Sequence, residues 1–502
     1  MSDIILSTLN ARYIHSAFGL RYLKANMAEL ADATTIIEFT IHERPIDVVE
    51  RLLQSRPRII GLGVYIWNIV EITQVVALLK EVSPETLLVL GGPEVSFEHT
   101  AQPIVGMADY VICGQGEQEL VELCRLLLAG ERPQQKIINA IPPRLEQLTM
   151  PYHLYSDEDI AHRILYVEAS RGCPFKCEFC LSALDKTAKP FDLELFLGEM
   201  DRLYQRGARH FKFVDRTFNL KIDFSIQILD FFLQRLDNKL FLHFEIIPDH
   251  LPEALKTAIQ RFPEGALQFE IGVQTFNPEV QALISRKQDN NKTADNLRWI
   301  AEHTHAHIHA DLIIGLPGED MASFARSFNR LVQLAPHEIQ VGILKRLRGS
   351  PIIRHTPAFD MRYNPNPPYN ILSNNLIDFA TLQRLNRFAR YWDMIANSGR
   401  FRKTLPLLLA DDPFESFMAL SDWLFSTTTQ THQIALKRLF LILYQGGVQA
   451  LGIDPGTLEE SLVIDYATSG LKGGLVLDPE QSVRQSEVNA STRQQRHRQV
   501  AV

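Results

Sequence analysis

Three cysteines stand close together in Ser170-Arg-Gly-Cys-Pro-Phe-Lys-Cys-Glu-Phe-Cys-Leu181, directly after the apolar run Ile164-Leu-Tyr-Val-Glu168. Cys173, Cys177 and Cys180 form a C-x3-C-x2-C array. Iron–sulfur clusters are ligated by cysteine thiolates, so such an array can hold three irons of a [4Fe–4S] cube. No fourth cysteine lies nearby, which would leave the last iron open to a substrate. A second chemistry is available to the same residues. Positions i, i+4 and i+7 share one helix face, and three thiolates with a ligand from elsewhere can bind zinc. Gly172 and Pro174 favour a loop over a continuous helix.

With Phe179 before its last cysteine, the array resembles the signature of the radical S-adenosylmethionine (radical SAM) superfamily. The resemblance implies that the open iron chelates the amino and carboxylate groups of S-adenosylmethionine (SAM). An electron from the cluster then cleaves the sulfonium and gives a 5′-deoxyadenosyl radical. That requires a strongly reducing cluster, and protein-bound potentials extend down to about −700 mV. It also implies a low-potential electron donor such as flavodoxin or ferredoxin.

The elements that must position this loop can be read along the chain. At 502 residues the length fits about three domains. With 46% hydrophobic and 22% charged residues the composition is that of a soluble globular protein. A net charge of −8 gives no electrostatic case for nucleic acid as the main partner. No apolar run is long enough to span a bilayer, and Met1-Ser-Asp-Ile4 shows no basic segment before an apolar one. Five cysteines, three of them clustered, point to a reducing, cytoplasmic setting, with Cys113 and Cys124 as buried thiols.

Residues 1–135 alternate strand-like and helical patterns. Strands are expected at Ile4–Leu9, Thr35–Phe39, Ile59–Tyr65, Leu87–Leu90 and Tyr110–Cys113. Such alternation predicts an α/β, doubly wound parallel sheet whose ligand crevice lies beyond the carboxyl ends of its strands. The loops Asn10–Gly19, Tyr65–Asn68, Gly91–Glu94 and Gly114–Glu117 fall there. Leu88-Val-Leu-Gly-Gly-Pro93 and Ala108-Asp-Tyr-Val-Ile-Cys-Gly-Gln-Gly-Glu117 resemble loops of the B12-binding domains that precede radical SAM domains, with Gln115 replacing the usual first Glu. The resemblance implies cobalamin as a second cofactor, with Tyr13, His15, Gly19, Tyr65, Trp67, Gly91, Gly92, Gly114, Gly116 and Glu117 as candidate contacts. Glycine suits a flat corrin because it lets backbone approach closely. The first loop departs from the axial-histidine pattern D-x-H-x-x-G: Arg12-Tyr-Ile-His-Ser-Ala-Phe-Gly19 has H-x3-G spacing with Tyr13 in the aspartate's place. His15 is therefore either a cobalt ligand or a histidine lining the crevice.

A polar, Pro-containing linker at 136–163 leads to a second region, 164–360. Strand-like runs at Ile164–Glu168, His210–Val214, Phe241–Ile246, Leu267–Val273, Ile308–Ile314 and Ile339–Leu344 alternate with helical patterns. Six strand–helix units resemble the partial (β/α)6 barrel of radical SAM enzymes, with the cysteine loop at the active, C-terminal end of the first strand. Phe211-Lys-Phe-Val-Asp-Arg-Thr-Phe-Asn219 resembles the family's second-strand motif, which implicates Asp215 and Asn219 near SAM. Phe269-Glu-Ile-Gly-Val-Gln-Thr-Phe276 and Asp311-Leu-Ile-Ile-Gly-Leu-Pro-Gly-Glu319 resemble later segments, which adds Glu270, Gln274 and Gly315. Glu245, at the end of the third strand, or Glu270 would accept hydrogen bonds from ribose hydroxyls. His303, His305, His307 and His309 alternate and would share a strand face if that strand starts early, which raises a second metal site as a reading.

Beyond residue 360 the pattern changes. Asn364-Pro-Asn-Pro-Pro-Tyr-Asn370 should run extended. Residues 361–470 then read as a helical domain, with amphipathic stretches at Asn375–Ala396, Glu415–Phe425 and Gln433–Tyr444. Arg387-Phe-Ala-Arg-Tyr-Trp392 reads as a helix packed by its aromatics. Residues 471–502 should be a disordered tail. The sequence thus predicts an enzyme that cleaves SAM and, by family analogy, transfers a methyl group to an unactivated carbon of an unknown substrate. The alternatives are cobalamin-assisted oxidation or ring rearrangement, a radical SAM enzyme with a vestigial first domain, and a non-enzymatic redox sensor.

Overall fold

In the computed structural model, which describes residues 3–475 and 477, the first strand, β1 (Ile4–Asn10), is buried along its whole length. That follows from its place inside a sheet covered on both faces. With β2 (Thr34–Thr40), β3 (Ile59–Gly63), β4 (Leu87–Gly91), β5 (Tyr110–Cys113) and β6 (Ile137–Asn139) it forms a parallel six-stranded sheet in the order β2-β1-β3-β4-β5-β6. Side chains alternate along each strand. Ile5 and Leu9 of β1 join a core with Val48, Ile72, Val75 and Val76, while Ile4 and Leu6 join another with Leu20, Leu120 and Leu127. The sheet order reverses between β1 and β3, and a doubly wound sheet opens its crevice at such a switch point.

The five expected strands of this region are present, within two residues at each end. A sixth, β6, lies in the stretch read as linker, where it pairs with β5. The linker also carries the helix Asp157–His162, whose first turn is closed by a capping box between Ser156 and Asp159. Its acidic run reads as connector in sequence, but there Asp159 accepts from the Ser156 N–H while Ser156 Oγ accepts from the Asp159 N–H. That helix is held to the first domain by a buried ion cluster: Arg21 donates to Glu38 and to Asp159, each at 2.8 Å.

The second region begins with β7 (Leu165–Val167), β8 (His210–Phe213), β9 (Phe241–Ile246) and β10 (Leu267–Gln274), parallel and in that order. Helices Leu193–Gln205, Ile222–Leu233 and Glu253–Ile259 connect them. The β/α alternation continues through β11 (His307–Ile314), the helix Met321–Gln333 and β12 (Glu338–Ile343). The chain divides into two compact units, the first comprising residues 1–309, 316–318 and 344–375.

The second unit contains residues 310–315, 319–343 and 376–502. Its described part is mostly helical, with Phe379–Ile395, Pro413–Thr428, Leu436–Gln449 and Pro455–Thr468 after the helix Met321–Gln333. Phe328, Phe388, Trp392, Phe414 and Phe417 pack edge to face at its core. Phe388, Tyr391 and Trp392 are buried while the Arg387 guanidinium lies over Phe425 at 4.3 Å, as a helix packed by its aromatics requires.

Two expectations are corrected. The Pro-rich segment Asn364–Asn370 does not run extended. It turns back on itself between the antiparallel strands Arg362–Tyr363 and Ile371–Ser373, with the Asn364 N–H on the Asn370 carbonyl at 2.8 Å. The Asn364 side chain accepts from the Asn366 N–H and tightens the turn. Nor do the four alternating histidines share a strand: His303 ends the helix Asn290–His303 and stacks on Trp299, and the strand starts only at His307. The expected disordered tail, apart from residues 471–475 and 477, lies outside the described residues. No described helix is long and apolar enough to cross a membrane.

Candidate active site

The cysteine array follows β7 as a loop, not a helix. Its two ends are joined by an antiparallel ribbon of Ser170–Arg171 with Lys189–Pro190. Gly172 is obligatory there: it has φ +91°, and a Cβ would lie 2.1 Å from the Thr187 carbonyl oxygen. Cys173 donates its N–H to the Asp185 carbonyl at 3.1 Å, and Cys180 donates to the Cys177 carbonyl at 3.0 Å. Burial pushes the Cys173 thiol up. It does the same to Cys177, where Arg286 works against it and donates to Sγ at 3.6 Å. Phe179 is half-buried.

Glu178, inside the array, is 4% exposed. Burial pushes its carboxyl up, but hydrogen bonds from Arg354, Ser285 and His355 outweigh that and hold it below the ordinary range. Arg354 donates through Nε at 2.7 Å, Ser285 Oγ at 2.6 Å, and His355 Nε2 lies 2.9 Å away.

Facing this loop is a cavity of about 570 Å³ within the first unit. One wall is glycine-rich backbone: Gly19, Gly61, Gly63, Gly91, Gly92, Gly114 and Gly116. Gly92 has φ +104°, and a Cβ there would lie 2.5 Å from the Val64 carbonyl oxygen. The other wall is the cysteine loop and its neighbours: Ser170, Arg171, Gly172, Leu181, Ser182, Asp185, Val214 and Arg216. The walls are tied across their edge. Arg171 pairs with Glu117 at 2.7 Å and with Glu168 at 2.9 Å, all three side chains being at most 14% exposed. Gln115 accepts from Arg171 and donates to Asp185, each at 3.3 Å. Asp185 supplies the reason for the departure at Gln115: a glutamate would set a second carboxylate against it.

Of the residues singled out in sequence, Gly19, Tyr65, Gly91, Gly92, Gly114, Gly116 and Glu117 line this cavity. Tyr13, His15 and Trp67 do not. His15 lies beside β7, its Nδ1 2.7 Å from the Tyr166 hydroxyl, and no histidine lines the cavity among the described residues. Tyr13 donates to Glu158 at 2.8 Å, and Trp67 stacks on Tyr65 at 4.4 Å and donates to the Leu9 carbonyl.

Asp215 accepts from the Ala169 N–H at 3.0 Å and from Ser170 Oγ at 2.6 Å, holding the start of the cysteine loop. Burial pushes its carboxyl up to about 7. The Asn219 side chain is spent on backbone groups of Ile247 and His250 after β9. Glu245 pairs with Arg216 at 2.8 Å, and burial raises its carboxyl. Glu270 is held at about 2 by a hydrogen bond from His243, with Lys212 also near. Gln274 ends β10 with φ +68°, and Gly315, in the second unit, has φ +87°. Sequence reasoning passed over Arg171, Arg286 and the partners of Glu178. Arg171 stood next to the array, but only its contact with Glu117, 54 residues away, gives it meaning.

Residues 5–124 match the B12 binding domain, and residues 167–331 match the Radical SAM superfamily. The chain carries a radical SAM domain and, ahead of it, a B12-binding domain. Residues 357–500 match a third family, described as Protein of unknown function (DUF4080). An uncharacterized methyltransferase of Pyrococcus horikoshii, PH0819, is 25% identical over 60% of this chain and 70% of its own. The cobalamin-dependent radical SAM methyltransferase TokK of Streptomyces tokunonensis is 24% identical over 57% of this chain and 47% of its own. In fold, the chain resembles the radical SAM methyltransferase TsrM from Kitasatospora setae, with a TM-score of 0.61 at 16% identity over 94% of this chain and 100% of that one. It also resembles the cobalamin-dependent SAM radical enzyme OxsB, with a TM-score of 0.64 at 13% identity over 92% and 83%.

This is an enzyme whose radical SAM domain implies a [4Fe–4S] cluster and SAM and whose B12-binding domain implies cobalamin. The residues present fit both groups. Three thiols converge on one loop, with Cys113 and Cys124 buried elsewhere. Among the described residues no three His, Cys, Asp or Glu side chains close on a single ion. The cavity wall of bare backbone suits a flat ring, and its volume is that of a cofactor pocket.

Proposed function

We propose that this enzyme transfers a methyl group to an unactivated carbon, with a [4Fe–4S] cluster on Cys173, Cys177 and Cys180 and cobalamin in the glycine-walled cavity. When bound, the cluster supplies the electron that cleaves SAM, and cobalamin carries the methyl group. The observation that carries the reading is the shared cavity. Gly63, Gly91, Gly92 and Gly116 line it from one side, and Arg171, Gly172, Leu181 and Ser182 from the other. Two cofactor loops facing one space is what a reaction combining them needs.

The chain's own groups then have distinct tasks. Arg286 donates to Cys177 Sγ and favours the thiolate over the thiol. Asp215 holds the backbone at Ala169 and Ser170, which sets where the array begins. Glu245 and Glu270, near the ends of β9 and β10, are acceptors for ribose hydroxyls. Arg171 closes the cavity edge on Glu117 and leaves no buried charge unpaired. An external low-potential donor, flavodoxin or ferredoxin in kind, provides the electron. The methyltransferase relatives support methyl transfer over oxidation or rearrangement.

The test is anaerobic incubation of the reconstituted protein with dithionite and methyl-labelled SAM. Release of 5′-deoxyadenosine, together with label leaving SAM for a product other than methionine, is expected. 5′-Deoxyadenosine without methyl transfer on any substrate would move the assignment to oxidation or rearrangement, and no cleavage by a fully loaded cluster would remove it.

A further inference from the structure

The segment 344–355 lies between the stretches matched to known families, which end at residue 331 and resume at residue 357. It carries three arginines and a histidine, and these grip carboxylates on two separate loops. Near its start, Arg346 pairs with Glu98 at 2.8 Å, and Arg348 pairs with Glu94 at 2.9 Å and with Glu98 at 3.1 Å. Tyr369 completes that end, donating to Glu94 at 2.5 Å while accepting from Arg348. Gly349, at φ +79°, packs so closely on Phe97 that a Cβ would lie 2.4 Å from the ring. At the far end Arg354 and His355 meet Glu178 inside the cysteine array, and the Ile352 N–H donates to the Glu178 carbonyl at 2.9 Å.

Of the three gripped carboxylates two are buried, Glu94 at 3% and Glu178 at 4% exposed, while Glu98 is about a third exposed. A buried carboxylate that loses its cation is strongly destabilised, so neither loop sits in place without this segment. The loop bearing Glu94 and Glu98 also supplies Pro93, Ser96 and Phe97 to the cavity, and the loop bearing Glu178 supplies Leu181 and Ser182. The two grips are therefore on opposite walls of one cavity, six residues apart along one stretch of backbone.

We propose that residues 344–355 are a strap that sets the spacing of the two cofactor loops. Arg346 and Arg348 are positioning residues for the loop after β4, and Arg354 and His355 for the cysteine loop. The strap makes the two loops one mechanical unit, so displacement of either is felt by the other. The proposal rests on the reading that these loops carry cobalamin and the cluster.

The test is amide hydrogen exchange of the anaerobically reconstituted enzyme, native and as Arg348→Met, Arg348→Lys and Arg354→Met. In Arg348→Met, amides of residues 94–98 should exchange about tenfold faster. Amides of residues 173–184, which Arg348 does not touch, should also accelerate, while β1–β5 stay protected. Arg354→Met, at a side chain 62% exposed and so mild for folding, should in return accelerate residues 94–98. Arg348→Lys, which keeps the charge, should fall between native and Arg348→Met. Acceleration confined to the loop each variant touches would overturn the strap. Iron and cobalamin contents of the same samples judge the cofactor reading separately, since the exchange comparison does not depend on them.

Discussion

One wall of the cavity is made of missing side chains: Gly63, Gly91, Gly92 and Gly116 bring bare backbone to its surface. The facing wall is made of charged and polar side chains on and around the loop that carries the thiols. Its loop is pinned by Arg171 to Glu117, by Arg354 and His355 to Glu178, and by Asp215 to Ser170. A wall of the first kind fails when atoms are added, and a wall of the second kind fails when atoms are removed. The difference follows from what each is proposed to hold, a flat ring recognised by shape or irons recognised by ligand chemistry.

The largest expected effect is on the second wall. Cys173→Ala, Cys177→Ala or Cys180→Ala should reduce iron from about four per chain to near none and abolish SAM cleavage, leaving the first domain folded. A retained cluster in any of these variants would remove the basis of the mechanism. Next comes Arg171→Met, which strands Glu117 and Glu168 in buried surroundings. It should lower unfolding free energy by about 3–5 kcal/mol, measured by denaturant titration. A loss under about 1 kcal/mol, as for an exposed pair, would mean that the two walls are not tied there.

On the first wall the effect comes from addition. Gly92→Ala meets both a φ of +104° and the Val64 carbonyl. It should cost about 1–3 kcal/mol and weaken cobalamin retention, while Gly106→Ala, in open space, should leave retention unchanged. Equal effects at both positions would show that the glycine wall has no special role.

Asp215 sharpens the comparison through pH. Its carboxyl rises from 3.8 to about 7 on burial, so the folded protein keeps a proton that the unfolded chain releases. The stability this contributes is fully present below about pH 4 and is lost as pH climbs towards 7. Relative to Asp215→Asn, which cannot titrate, the native protein should lose stability over that window and run parallel above it. The smallest effect belongs to His15→Ala: His15 lies off the cavity against Tyr166, and cobalamin content should not change.

The two walls also differed in how far sequence disclosed them. Local spacing was enough for the cysteine array and for the paired glycines at Gly91 and Gly92, because their tasks are set by neighbours in the chain. The ties were not legible. Arg348 and Glu94 are 254 residues apart, and Arg354 and Glu178 are 176 apart. Nothing in the composition of either segment names its partner. Asp215 and Asn219 show the reverse case. A family motif marked them for SAM, and the fold shows what their side chains hold: the Ala169 N–H and the Ser170 hydroxyl for Asp215, and backbone groups after β9 for Asn219. The strand β6 was hidden because three residues of edge strand leave too short a pattern to separate from a connector.

On the proposed reading the glycine wall and the cysteine loop each load their own cofactor beside one cavity. The most direct measurement is iron and cobalamin per chain after anaerobic reconstitution with hydroxocobalamin, on the native protein, Cys177→Ala and Gly92→Ala. About four irons and one cobalamin are expected in the native protein, with iron lost in Cys177→Ala and cobalamin weakened in Gly92→Ala. A full complement of iron with no cobalamin retained by the native protein would contradict it and leave the cavity to another ligand.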